Sequence, residues 1–417
     1  MEAALAEALD RRVDELLARR SEANGRFFAA EAERLARCCH RMAERFARGG
    51  RLVAIGRSPT ARSDVRHVAV EFVHPVIVGK RALPAIGLAR EGGALGDQLA
   101  VVAEREDIVI AFGAEDEGEA GETASALAGA RARGCLTIAF APAGAEWELA
   151  PPVDDPFVRQ ELVETLYHVL WELVHVFFEH RGLLAGREVG PVHDTGASSF
   201  LYPFLAEGEH DLDSVVADVR ASALMKSEEV GSLREQTLQE NRGALIAAAA
   251  AIRSSFERGG KVLAFGNGGS ATDAMDLVAD LRAPPPGAGD GAAAGWPARR
   301  AIDLTEDAAI LTAIANDIGV EEIFQRQVIA YGRPGDCAVA LSTSGNSLNL
   351  IEALAEARRR ELATVALVGY DGGRIAAEGL ADHVIVTRSQ HIPRIQEAQA
   401  SAYHVIRELV ELFEPGG

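Results

Sequence analysis

Two short segments in the second half of the chain carry the residue types needed to hold an anion. One is Asn267-Gly268-Gly269-Ser270, which follows the apolar run KVLAFG and precedes ATDAMDLVADL. The other is Ser342-Thr343-Ser344-Gly345-Asn346-Ser347, set between DCAVAL and LNLIEALAEARRR. Glycine lets a backbone approach a ligand closely, and the start of a helix offers unpaired amides and the positive end of its dipole. In the second segment several hydroxyls join those amides at the end of a strand, the edge at which open parallel sheets bind ligands, and a phosphate fits that donor set. Serine, threonine, asparagine and glycine are also ordinary helix caps, so either segment alone says little. Their occurrence together, each after an apolar strand, is what points to a ligand.

The elements that would position these loops follow from hydrophobic patterning. Helical stretches alternate with the short apolar runs RLVAIG, DIVIAF and LTIAFA in the first half and KVLAFG, DCAVALS, ATVALVG and DHVIVT in the second. That alternation predicts an α/β fold with parallel sheets covered by helices. Long helical segments at 2–19 and 22–48 precede the first strand, and segments at 211–234 and 237–258 precede KVLAFG.

The chain also repeats itself. Residues 41–56, RMAERFARGGRLVAIG, match residues 251–266, AIRSSFERGGKVLAFG. Residues 159–174, RQELVETLYHVLWELV, match residues 395–410, IQEAQASAYHVIRELV, which sets Gln160 over Gln396 and His168 over His404. The second pair lies farther apart than the first, so the later copy has gained residues. The insertion APPPGAGDGAAAGWP at 283–297 has loop composition and accounts for much of the gain. Two domains are therefore expected at 1–181 and 213–417, joined by a Gly/Pro-rich linker at 182–212.

Composition bounds the function. A chain of 417 residues, 48% hydrophobic and 25% charged, is long enough for two globular cores. No apolar run approaches the roughly 18 residues that span a bilayer, and the charged N-terminal stretch lacks the apolar core of a secretory signal, so a cytoplasmic address is expected. The net charge of −20 argues against nucleic-acid or anionic-membrane partners and requires local donors for any anionic ligand. Four cysteines, two of them adjacent, offer neither a disulfide framework nor a CxxC site.

The block from 211 to 412, with GNGGSATDAM, LTEDAAILTAIANDIG, GRPGDCAVALSTSGNS, DGGRIA and RIQEAQASAYHVI in order, closely resembles the phosphoheptose isomerases of the sugar isomerase (SIS) domain superfamily. The resemblance implies two tandem SIS domains, each a five-stranded parallel sheet flanked by helices, with N-terminal helical hairpins. It implies an aldose–ketose isomerase acting on a sugar phosphate, sedoheptulose 7-phosphate, through an enediol. By that likeness Ser270, Ser342, Thr343, Ser344 and Ser347 hold the phosphate, with Asn267, Asp307 and Gln396 near the sugar and Gly268 and Gly269 also among the substrate-binding residues. A family tetramer rebuilt from two-domain chains would be a homodimer, a pseudo-tetramer of SIS domains.

Moving a proton between adjacent carbons needs an acid–base group on each side of the reacting edge. The family supplies a Glu and a His. Some members bind zinc with a His and a Glu four residues apart on one helix and a Gln and a His eight apart on the last. In the second half those positions read Asp276, Asp280, Gln396 and His404, which puts catalysis by this half alone in question. The repeat places His67 on the Asp276 position and Glu71 on the Asp280 position, with Gln160 and His168 completing the set. The first half in turn has Gly56-Arg57-Ser58-Pro59-Thr60 in place of the glycine loop, and Glu115, Asp116, Glu117 and Glu119 where hydroxyls should be. The expectation is a composite site: the later domain grips the phosphate, while Glu71 and His168 transfer protons, with Asp280 and His404 as the corresponding later pair. His67, Glu71, Gln160 and His168 could also form a zinc shell, and sites of this kind also work without metal. A non-catalytic sugar-phosphate-binding regulator or assembly factor is the competing reading, and His168 and His404, both in apolar helices, also fit interior histidines.

Overall fold

The computed structural model places a strand in each of the runs RLVAIG, DIVIAF, LTIAFA, KVLAFG, DCAVALS, ATVALVG and DHVIVT. It describes residues 2–77, 80–89, 93–113, 117–179, 211–285, 287–288 and 296–413. Almost all of the expected linker lies outside the described residues, as do Glu115, Asp116 and most of the Pro/Gly insertion.

The chain divides into two units. Unit one is Met1–Ala23, Val153–Glu161 and Glu229–Gly417; unit two is Asn24–Pro152 and Leu162–Glu228. Each holds a five-stranded parallel sheet. In unit two the strands are β1 (Leu52–Ile55), β2 (Ala85–Leu88), β3 (Ile108–Ala111), β4 (Leu136–Ala139) and β5 (Trp147–Glu148), in spatial order β2-β1-β3-β4-β5. In unit one they are β6 (Val262–Gly266), β7 (Ala301–Asp303), β8 (Cys337–Ser342), β9 (Ala363–Gly369) and β10 (His383–Thr387), in order β10-β9-β8-β6-β7. Counted within each copy, the two orders are the same, so the duplication seen in the sequence is a duplication of topology. Strands β5 and β7 have two and three residues, too few for a periodicity to announce them, and the four of β2, AIGL, are only partly buried.

Every strand pair is parallel, which requires crossover connections and helices on both faces. The unit-one core shows the consequence. Val262 and Ala264 pack on one face with Val339, Leu341 and Ile406, while Leu263 and Phe265 pack on the other with Ala338, Leu350 and Leu354. Both sets are fully buried.

The two N-terminal helical stretches are one helix, α1 (Glu2–Ala47). No proline interrupts 19–22, and the single interior Gly25 costs only about 1 kcal/mol, too little to break a helix this well packed. In the later copy a break does occur, at Asn241 between α6 (Leu212–Glu240) and α7 (Arg242–Glu257). The Asn241 amide donates to Thr237 O and Val386 O and accepts from Val386 N, closing the α6 end and the free edge of β10 together. Among the described residues no helix is long and apolar enough to cross a membrane.

Candidate functional site

In unit one the order of the sheet reverses between β6 and β8, and Gly266 pairs with Leu341 across that boundary. The two donor-rich loops therefore leave neighbouring strands side by side, at the switch point where open α/β sheets bind ligands. The loop after β6 turns at Gly268, whose φ of 57° with ψ of −127° suits glycine, into α8 (Gly269–Arg282). Asn267 and Asn349 exchange amide hydrogen bonds of 3.0 and 2.9 Å, linking this loop to the first turn of the helix that follows the loop after β8.

The loop after β8 is locked from two sides. Ser342 Oγ accepts from Gly345 N, and Ser344 Oγ accepts from Asn346 N. Asn346 Oδ1 in turn accepts from Arg374 N, and Gly345 O from Ile375 N, which ties the loop to the DGGRIA turn and α12 (Gly373–Ala377). Gly345 sits at φ 63°, and a Cβ there would lie 2.2 Å from Gly372 O, so no side chain fits. Ser347 precedes α11 (Leu348–Arg359) without using its hydroxyl as a cap. Thr343 is half-buried and Ser270 buried. Asp307, expected near the sugar, caps α9 (Ala308–Asp317) by accepting from Ala309 N and Ile310 N. Gln396 is buried on α13 (Ile392–Leu412), and Gln399, one turn on, donates to Ser342 O.

Unit two has spent the corresponding donors. Ser58 Oγ caps α2 (Pro59–Val73) by accepting from Ala61 N, and Arg57 is paired with Glu122 at 3.1 Å. Glu117 and Glu119 lie on α4 (Glu117–Arg133).

The residues expected to move protons form one cluster per unit, and the two clusters are built alike. In unit two Tyr167 and His168, adjacent on α5 (Pro156–Glu179), both reach His67: Tyr167 Oη lies 2.8 Å from Nδ1, and His168 Nε2 lies 3.3 Å from Nε2. Glu71 Oε1 is 3.9 Å from His67 Nε2. In unit one Tyr403 and His404, adjacent on α13, both reach Asp276: Tyr403 Oη donates at 2.8 Å and His404 Nε2 lies 3.3 Å away, the same distance as to Asp280 Oδ2. The correspondence of His67 with Asp276 and of Glu71 with Asp280 holds in three dimensions.

Their electrostatics differ. Burial and the neighbouring His168 hold His67 well below the usual histidine range, so its ring is neutral. A neutral imidazole can accept a proton or ligate a metal. His67, Glu71 and His168 each offer a ligand atom within 4.8 Å of the others. The Nε2–Nε2 separation also matches the edge of a tetrahedron with Zn–N bonds of about 2.0 Å. This donor set fits zinc. Gln160 is half-buried two turns earlier on α5.

His404 is the reverse case. Burial works against its charge, yet Asp276, Asp280 and Glu161 outweigh it and hold His404 well above the histidine range. Glu161 Oε1 lies 3.0 Å from His404 Nδ1 and 2.9 Å from Arg20 Nε, and its Oε2 accepts from Ser401 Oγ. Burial pushes the Glu161 carboxyl up, but Arg20 and His404 overcome this and draw it to about 2. Burial, aided by Asp276, pushes Asp280 up to about 7. The unit-one cluster is thus a buried ion network around an imidazolium. Glu161 and Arg20 were not legible as site residues. The one available signal was that Glu161 follows Gln160 as Glu397 follows Gln396.

A pH dependence follows. Because the folded state raises Asp280 from 3.8 to about 7, its contribution to stability is complete below pH 3.8 and is lost as pH rises towards 7. His404 adds a loss of the same sign above 6.5, whereas Glu161 acts in the opposite sense, losing its contribution below 4.5. Asp280→Asn should therefore flatten the fall in melting temperature between pH 5 and pH 7, and an unchanged slope would contradict this assignment.

A family model described as "SIS domain" matches residues 227–369. A phosphoheptose isomerase from Chlorobium phaeobacteroides is 44% identical over 180 residues, covering 43% of this chain and 76% of the relative. Another, from Nitratidesulfovibrio vulgaris, is 36% identical over 203 residues, covering 47% of this chain and 90% of the relative. The solved C-terminal domain of glucosamine-fructose-6-phosphate aminotransferase from Francisella tularensis matches 96% of this chain and 95% of its own length, with a TM-score of 0.58 at 9% identity, a likeness of fold alone. With its switch-point loops and paired clusters, the chain belongs to the phosphoheptose isomerase family of SIS-domain proteins, with two such domains in tandem.

Proposed function

We propose that this chain interconverts a ketose phosphate and an aldose phosphate, with sedoheptulose 7-phosphate as the substrate. The hydroxyls and amides of Ser270, Ser342, Thr343, Ser344 and Ser347 hold the phosphate, while Asn267, Gln396 and Asp307 line the sugar path. Glu71 and His168 take a proton from one carbon and return it to its neighbour through an enediol, drawing residues of both halves into one reaction, within a chain or across a homodimer. His67, Glu71, His168 and Gln160 could instead hold zinc, which would polarise the substrate carbonyl; ligation would occupy the lone pairs of Glu71 and His168, so the two roles are alternatives.

The observation that carries this reading is the contrast between the two clusters. A general base must have a free lone pair near neutral pH. His67, beside Glu71 and His168, is held in the neutral state, whereas His404 is held as an imidazolium among carboxylates. The donor loops, in turn, are intact in unit one. The same contrast favours one alternative, a protein that binds sugar phosphates without turnover. Conversion of sedoheptulose 7-phosphate by the wild-type chain decides between them.

A further inference from the structure

Three loops at the C-terminal edge of the unit-one sheet enclose an open cleft of ≈ 810 Å³. Ser344 and Asn346 line it from the loop after β8, Tyr370 and Asp371 from the turn after β9, and Arg388 and Gln390 from the segment after β10. Ser344 belongs to the hydroxyl loop, so this cleft is continuous with the phosphate-holding segment on the side away from β6. Neither Tyr370 nor Arg388 falls in the motifs that marked the family.

The hydroxyl loop supplies neutral donors only. A phosphate dianion approaching a chain of net charge −20 needs a local countercharge as well. Arg388 is the one cation among the residues lining the cleft. Its partner is Glu240, at 3.5 Å, and with side chains 54% and 47% exposed this is a solvent-screened pair that a dianion can displace. Asp371, the one carboxylate in the lining, accepts from Gly373 N and is engaged in its own turn. Tyr370 holds φ at 53°, a left-handed conformation that side-chain-bearing residues adopt at a cost, and strain of this kind collects at ligand sites.

We propose that Arg388 is the cationic clamp of the phosphate site, its planar guanidinium meeting the phosphate from the β10 side of the cleft while the serine hydroxyls hold it from the β8 side, with Tyr370 as the wall between. Arginine suits this task because its fork of donors matches phosphate oxygens in pairs. The inference rests on the proposed sugar-phosphate reading for its choice of ligand.

Titration calorimetry with inorganic phosphate tests it. Arg388→Gln should weaken phosphate binding by about tenfold to a hundredfold, the range of a charged hydrogen bond. Arg388→Lys should fall between that variant and wild type, and Glu240→Gln should bind more tightly than wild type. Phosphate affinity within twofold of wild type in Arg388→Gln, or no binding by wild type, overturns the proposal. Parallel assays with sedoheptulose 7-phosphate separate the two ideas. Arg388-dependent phosphate binding without turnover sinks the isomerase reading and leaves the clamp standing, while turnover with an unchanged KM in Arg388→Gln sinks the clamp alone.

Discussion

Glu71→Gln is expected to lower kcat for sedoheptulose 7-phosphate by about 10²- to 10⁴-fold, the usual contribution of a positioned acid–base group, while leaving the affinity for inorganic phosphate unchanged. Glutamine keeps the shape of the side chain but cannot carry the proton. Glu71 is buried beside His67 and His168 in unit two, whereas the donor loops after β6 and β8 belong to unit one, so the chemistry can be removed without touching them. His168→Ala should have an effect of the same order and sign. Asp280→Asn and His404→Ala supply the comparison. Should turnover survive both unit-two substitutions and vanish in both unit-one substitutions, the assignment of roles is reversed.

Glu161→Ala should cost about 3–5 kcal/mol of stability, read from the midpoint of chemical denaturation, because breaking a buried ion pair from one side strands the other charge. Here two charges are stranded. Glu161 is 1% exposed and neutralises both Arg20, also 1% exposed, and the imidazolium of His404, which is fully buried. Arg20 keeps a 3.3 Å contact with Glu408, and His404 keeps its two aspartates, so the loss is partial rather than total. Glu161→Gln, which preserves the hydrogen bonds to Arg20 imperfectly and removes only the charge, should fall between. A variant as stable as wild type would mean that the network contributes nothing to the fold.

Much of this was legible in the residues. Seven strands announced themselves as apolar runs because both faces of a parallel sheet are covered, and the repeat set His67 over Asp276 and Glu71 over Asp280, where the structure has them. The donor loops were readable because glycine and hydroxyls after a strand have few other uses in that combination. What escaped the sequence depends on long-range placement. Glu161 and Arg20 are separated from His404 by hundreds of residues, yet they join it in unit one, and no local pattern encodes such a meeting. For the same reason the units do not follow the tandem repeat. The chain passes between them inside α1, α5 and α6 and once in the loop between β5 and α5. Arg388 and Tyr370 escaped because single residues between motifs carry no periodicity.

The central claim, that a proton moves between adjacent carbons of a phosphate-anchored sugar, is tested most directly by NMR of sedoheptulose 7-phosphate incubated with the wild-type chain in D₂O. The account predicts conversion to an aldose phosphate, with deuterium entering carbon 2 of the product wherever the proton on the base exchanges with solvent before it is returned. A substrate that binds and is never converted would contradict it.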